Sequence, residues 1–191
     1  MNVYDFDKTI YIHDSSVDLV FYLLGKKPWL FFPYLPKALR GVFRYKVLGK
    51  SKEVMKEDLF SIFSYFDDRE KLIEEFWDCH EKGIKSFYLL QKKDDDLIIS
   101  ASPAFLIGPI CKRLHIQALA SPLDIDTLRY SGNNCHGEEK VKRFREYTRE
   151  EVNEFYSDSL SDSPMAQIAK KAWLVKGETI KEWPKEKRHE G

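Results

Sequence analysis

The sequence predicts an α/β protein: a doubly wound parallel sheet, interrupted near its start by an all-helical insertion. Three observations carry this. Short apolar runs at 2–6, 97–99 and 154–156 each end in a cluster of acidic or small polar residues: DFD, SAS and SDSLSD. Helical patterns alternate with the later runs, which argues for parallel strands joined by helices. From about residue 15 to 90 the spacing is helical throughout. In such sheets ligands gather at the carboxyl ends of the strands, where all three polar clusters fall.

Taken in order, 2–6 reads as the first strand, with Asp5 and Asp7 on one side of it by alternation. Asp14 or Ser15 can cap a helix from about Ser16 to Leu24, with Gly25 as its stop. Pro28, Pro33 and Pro36 then argue against a helix. Helical spacing returns at Ala38, Val42, Tyr45 and Leu48, and Ser51 looks like the N-cap of a third helix. Its stripe runs through Val54, Met55, Leu59, Ile62, Phe63 and Phe66. Asp67 or Asp68 can cap a fourth helix, running into Phe76, Trp77 and His80.

After Asp96, Leu97-Ile98-Ile99 is a buried strand, followed by a helix with Ser102 as N-cap and Pro103 at its first position. His115–Leu119 is a further strand, 124–130 a hairpin-like excursion, and Gly137–Thr148 a helix. Glu154–Tyr156 is a strand. Ser163 and Pro164 open a helix to about Lys171, and Ala172–Val175 is the last strand. The last dozen residues are charged and read as loose. The expected organisation is a core of 1–14 and 91–191 with a helical cap of 15–90.

The chain has 191 residues, of which 43% are hydrophobic, enough for one core of ordinary size. Lys plus Arg and Asp plus Glu are 31 each, so net charge suggests no nucleic-acid partner. The basic residues are uneven: Lys26, Lys27, Lys37, Arg40, Arg44, Lys46, Lys50 and Lys52 fall in 26–52 with no acid among them. Cys79, Cys111 and Cys135 have no paired spacing, which fits free thiols in a reducing compartment. With no visible signal peptide and no run of roughly 20 apolar residues, a cytoplasmic protein without a transmembrane segment is expected.

Asp5, Asp7, Asp158 and Asp162 would crowd four carboxylates into one place. Like charges so close are costly unless a cation neutralises them, and a hard ion such as Mg²⁺ suits oxygen ligands. Ser100, with the backbone N–H groups of Ala101 and Ser102, lies just before a helix and can receive an anion. Lys140 can add a fixed positive charge. An anion site beside a metal and a free carboxylate suggests phosphoryl transfer. No GxxxxGK[ST] loop is present, so a P-loop enzyme is excluded. An aspartate can attack phosphorus itself.

These motifs together resemble the haloacid dehalogenase-like superfamily, and within it the phosphoserine-phosphatase-like branch with a helical cap after the first motif. DFDKT resembles the first motif, ISAS the second, Lys140 in HGEEKVKRF the third, and SDSLSD the fourth. The resemblance implies a Rossmann-like core and a Mg²⁺-dependent phosphatase working through an aspartyl-phosphate. It implies that Asp5 is nucleophile and metal ligand, and that Asp7 is general acid and base, with its backbone carbonyl on the metal. It implies Asp158 as a metal ligand and Asp162 as a direct or water-mediated one. Thr9, Ser100, Ala101 and Lys140 would hold the phosphoryl oxygens, with Lys142 as the alternative to Lys140.

Substrate choice is expected to lie in the insertion. Asp14 stands where phosphoserine phosphatases carry a glutamate, so phosphoserine itself is not the expected substrate. Lys8, His13 and Asp14 are the specificity candidates. Trp29, Phe31, Phe32 and Tyr34, interleaved with basic residues, suit an amphipathic phosphate ester or peripheral contact with a membrane surface; alternatively they form the core of the cap. A phosphotransferase, a lipid-phosphate phosphatase and a non-catalytic phospho-ligand module are the other readings. DIDTL at 124–128 and the adjacent Cys135 and His136 are set aside as sites.

Overall fold

The computed structural model describes residues 1–184. Strands β1 (Val3–Tyr4), β2 (Leu97–Pro103), β3 (Gln117–Ser121), β4 (Val152–Ser157), β5 (Ala169–Lys176) and β6 (Thr179–Glu182) form one sheet in the order β3-β2-β1-β4-β5-β6. The first five are parallel, and β6 returns antiparallel against β5. This is the Rossmann-like α/β architecture expected. β1 is central and short. Val3 and Tyr4 pair with Leu97 and Ile98 on one side and Phe155 and Tyr156 on the other, all nearly inaccessible. Covered on both faces, these strands read as continuous apolar runs.

Five helices lie between β1 and β2: α1 (Ser15–Lys26), α2 (Phe31–Lys46), α3 (Lys52–Phe60), α4 (Arg69–His80) and α5 (Ser86–Gln91). Asp14 caps α1, its Oδ1 accepting from the Ser16 and Val17 amides at 3.1 Å each. Asp68 caps α4 through the Lys71 amide. Then α6 (Ala104–Arg113) follows β2, α7 (Glu138–Tyr147) follows β3, and α8 (Ser163–Ile168) follows β4.

The helical segment and the sheet share one apolar cluster. Phe6 and Tyr11 meet Trp77 edge-on, Tyr4 meets Tyr88, and the Trp77 indole donates to the Leu106 carbonyl at 2.7 Å. So α4 and α5 cover the sheet, whereas α2 and α3 pack mainly on each other. Gly41 makes that approach close: a Cβ there would stand 2.7 Å from the Asp58 Cβ. Arg40 and Arg44 then reach the Asp58 carboxylate at 2.8 and 3.2 Å.

Several element readings need correction. Gly25 lies inside α1, and the prolines at 33 and 36 lie inside α2 rather than breaking it. Pro33 sits in the first turn, where the helix offers its missing N–H no partner anyway; Pro36 forfeits one backbone bond. Ser51 holds the N-cap position of α3, but its side chain makes no capping bond. The stripe expected on one helix is divided, since α3 ends at Phe60 and a 3₁₀ turn takes 61–65. Pro103, not Ser102, is the N-cap of α6, because β2 continues through 103. α8 ends at Ile168 and β5 starts at Ala169, earlier than expected. β6 was not expected: it takes 179–182 from the tail read as loose, while 185–191 lie outside the described residues.

Of Trp29, Phe31, Phe32 and Tyr34, only Tyr34 is buried, its hydroxyl donating to the Leu59 carbonyl at 2.7 Å. Trp29, Phe31 and Phe32 are exposed. On the outer face of α2, Phe32, Leu39 and Phe43 repeat at helical spacing, each more than half exposed. Among the described residues no helix is long and apolar enough to cross a membrane.

Candidate active site

The parallel strands converge as the sequence suggests. Asp5 follows β1, Ser100 lies in β2, and Asp158 follows β4. Lys140 comes from the first turn of α7. Gly137 precedes that turn with φ 58° and ψ −127°, a conformation that favours glycine. Asp5, Asp7, Ser100, Ala101, Lys140, Asp158 and Asp162 all line one cleft of about 400 Å³.

The floor of the cleft is a buried ion triad. Lys140 Nζ lies 2.6 Å from Asp5 Oδ1 and 2.7 Å from Asp162 Oδ2. Burial would lower the Lys140 pKa, but the two carboxylates override it and raise it above its ordinary value. Burial is also the main force on Asp5, pushing it up to about 7 against the pull of Lys140. The Ser157 hydroxyl donates to Asp162 Oδ2 at 2.7 Å. Lys142, two residues on, is exposed and is not among the residues lining the cleft.

Asp7 is held separately. Its Oδ1 accepts from the Ser15 amide at 2.8 Å, and its Oδ2 accepts from the Ser102 hydroxyl. Burial, then the charge of Asp14, raises Asp7 to about 6 despite these bonds. A carboxyl near that value can give or take a proton at neutral pH. Ser100 is buried, its Oγ accepting from the Ser102 amide at 3.0 Å.

Thr9 takes a different place from its neighbours. It is fully buried; its hydroxyl donates to Asp5 Oδ2 at 3.5 Å and accepts from the Asp158 amide at 2.9 Å. It therefore ties the β1 loop to the β4 loop beneath the cleft. Lys8, at φ 58°, stands exposed on the rim; burial raises Asp158, against the charges of Lys176 and then Lys8. Its carbonyl accepts from Lys85 Nζ at 2.8 Å. His13 turns outward, with Nδ1 3.0 Å from Asp18 Oδ2. Asp14 lines the cleft while capping α1.

The residues set aside as decoys have ordinary roles or unexpected ones. Asp124 holds its own turn, accepting from the amides of Asp126 and Thr127. Cys135 is buried, but His136 faces the cleft. Sequence reasoning missed the cleft's other wall. Lys52 and Lys56 reach it from α3, and Asn134 and His136 from the loop after β3. The available signal was a lysine pair at i and i+4 beside an apolar stripe, a spacing that puts both on one helix face.

The carboxylates bear on a metal in two ways. Asp162 Oδ1 is buried without a hydrogen-bond partner, and burial raises Asp158. Both observations mark a place where a further cation would relieve cost, and an all-oxygen donor set suits Mg²⁺. Among the described residues, no three His, Cys, Asp or Glu side chains are gathered closely enough to form a cage. The donor chemistry of these oxygens fits such an ion.

Comparison with known proteins gives the family and the fold. The family model of the haloacid dehalogenase-like hydrolases matches residues 3–167. The chain belongs to that family. Among solved structures, a Bordetella pertussis Tohama I protein of unknown function shares the fold with TM-score 0.67 and 19% identity, over 90% of this chain and 87% of that one. A phosphoserine phosphohydrolase-like protein from Francisella tularensis subsp. tularensis SCHU S4 shares it with TM-score 0.51 and 16% identity, over 90% and 86%. None of the curated proteins matches the sequence.

Proposed function

We propose that the protein is a Mg²⁺-dependent phosphatase that hydrolyses a small phosphate monoester through an aspartyl-phosphate on Asp5. The observation that carries this is the division of labour between two carboxyls two residues apart. Asp5 is tied to Lys140, and Asp7 is tied to Ser15 and Ser102. Family membership and a fold shared with a phosphoserine phosphohydrolase-like protein support the reading.

In this proposal the Asp5 carboxylate attacks phosphorus and the bond to the ester oxygen breaks. Asp7 gives its proton to that oxygen, then takes one from the water that attacks the aspartyl-phosphate. Phosphate and free Asp5 result. Ser100, the Ala101 amide and Lys140 hold the phosphoryl oxygens, and Thr9 positions Asp5 from below. Asp5, Asp158, Asp162 and the Asp7 carbonyl would hold Mg²⁺, which supplies positive charge to the transferring group. The helical segment 15–90 serves as the cap over 1–14 and 91–191; Lys8 and Asp14, which line the cleft, stay the specificity candidates, whereas His13 turns to Asp18 instead. Free Cys79, Cys111 and Cys135 support a cytoplasmic setting.

A phosphate-release screen with Mg²⁺, including p-nitrophenyl phosphate, tests this. Turnover abolished by chelator is expected; folded protein inactive with and without metal would leave the non-catalytic module. Added alcohol acceptors, with phosphorylated alcohol as the readout, separate a phosphotransferase from a hydrolase. A second reading, action on a lipid phosphate at a membrane surface, is favoured by the exposed apolar face of α2 among acid-free basic sequence. Sedimentation with anionic vesicles at low salt tests it, and a protein left wholly in the supernatant removes it.

A further inference from the structure

In the same cleft as the triad, α3 and the loop after β3 present a cationic shelf to which the proposed chemistry at phosphorus assigns no role. Lys56 Nζ donates to the Ala101 carbonyl and, at 2.9 Å, to Asn134 Oδ1. Lys52 Nζ lies 3.0 Å from His136 Nε2. An ammonium can only donate, so that ring nitrogen is unprotonated, and burial followed by the Lys52 charge holds the His136 pKa down. Among the described residues neither lysine has an ion-pair partner; every acceptor at this shelf is neutral. Glu53, the α3 acid whose charge acts on Lys56, accepts from the Asn134 amide at 3.0 Å instead. Asp7 and Asp14, which line the same cleft, act on Lys56 through their charges without a hydrogen bond.

This arrangement is costly for the protein alone. Loss of surrounding water pushes the Lys56 ammonium down to about 8, in spite of Asp7 and Asp14. Cations partly stripped of water and given only neutral acceptors gain most from a ligand anion. The floor and Ser100 receive one anionic group, the phosphoryl. The shelf lies on the same cleft, and a cleft of about 400 Å³ suits a ligand of metabolite size.

We propose that Lys52 and Lys56, steadied by His136 and Asn134, form a second anion subsite, so that the preferred substrate is a small phosphate monoester bearing a further carboxylate or phosphate. The inference rests on the phosphatase reading for the word substrate, but not for the subsite itself. The second anion would replace neutral acceptors at one or both lysines and would shield Lys56 and Lys52 from each other. It also gives the cap a direct part in selection, since both lysines come from α3.

Equilibrium binding to the Asp5→Asn protein, in which the ligand is not consumed, tests the subsite. 2-Phosphoglycolate and ethyl phosphate share a two-carbon skeleton and differ in the carboxylate; propane-1,3-diol bisphosphate and its monophosphate make the same comparison for a second phosphate. At least about tenfold tighter binding of one doubly anionic ligand is expected. Lys52→Met and Lys56→Met, added to Asp5→Asn, should each erode most of that gap, and Lys→Arg at either position should keep it. Equal affinities within both pairs, measured before any cap substitution, overturn the subsite. So does a gap that survives both Met substitutions in folded protein. Turnover of p-nitrophenyl phosphate by the unsubstituted protein is read separately. Turnover without a binding gap leaves the phosphatase and removes the subsite; a gap without turnover does the reverse.

Discussion

The two walls of the cleft solve opposite electrostatic problems. On the floor, Lys140 stands between Asp5 and Asp162, and every charge has a partner of opposite sign within 2.7 Å. On the roof, Lys52 and Lys56 meet only neutral groups. The floor is assembled before any ligand arrives; the roof is completed by one. The difference also follows chain position. The floor hangs from the ends of central parallel strands, whose pairing leaves little freedom. The roof belongs to α3, which rests on α2 and on the loop after β3.

The sharpest way to break this contrast is at Asp5. Asp5→Asn should lower phosphate release by at least about a thousandfold, because it removes the proposed nucleophile. Near-normal turnover would move the nucleophile elsewhere. Lys140→Met should follow, destabilising the fold by about 3–5 kcal/mol in urea titration, since it strands buried Asp5 and Asp162 without a counter-charge. Lys142→Met, exposed on the same helix, should shift stability by less than about 0.5 kcal/mol. Equal effects at both lysines would dissolve the triad.

A gentler probe is pH. With chelator present, Asp7 in the folded protein keeps a proton up to about 6, which the unfolded chain releases near its ordinary 3.8. The stability this contributes is complete below the unfolded value and is lost as pH rises through the folded one, at up to about 1.4 kcal/mol per pH unit. Asp7→Asn should therefore gain on the unsubstituted protein between pH 4 and 6 in urea midpoints, and a flat difference would refute the shift. The smallest effect is expected at Asp14. Asp14→Ala should cost about 1 kcal/mol through the lost α1 cap, and Asp14→Asn should recover most of it.

How far the floor was legible in sequence can be traced residue by residue. Asp5, Ser100 and Asp158 each follow an apolar run, so their meeting needed only parallel strands in register. Lys140 over Lys142 was not decided by spacing; the starting angle of α7 at Gly137 turns one inward and the other to solvent. Thr9 was legible as a member of the motif, but its burial between Asp5 and Asp158 was not. His136 looked like half of a poor metal pair with Cys135, because only the fold sends adjacent side chains to a core and to a cleft. In the helical segment between β1 and β2, prolines suggested a break. The helix kept them by placing one in its first turn and sacrificing a bond at the other.

By itself the sequence determined the sheet, the place of the helical insertion and the acids at the strand ends. These depend on local pattern: apolar runs of strand length, caps such as Asp14 and Asp68, and polar clusters directly after strands. Only the tertiary structure decided what stands opposite those acids. Lys52 and Lys56 are separated from Asp5 by about a quarter of the chain and from His136 by more than that. No local pattern couples such distances. The packing of α3 against the loop after β3 does, and it turns two lysines of an ordinary helix into the roof of the cleft.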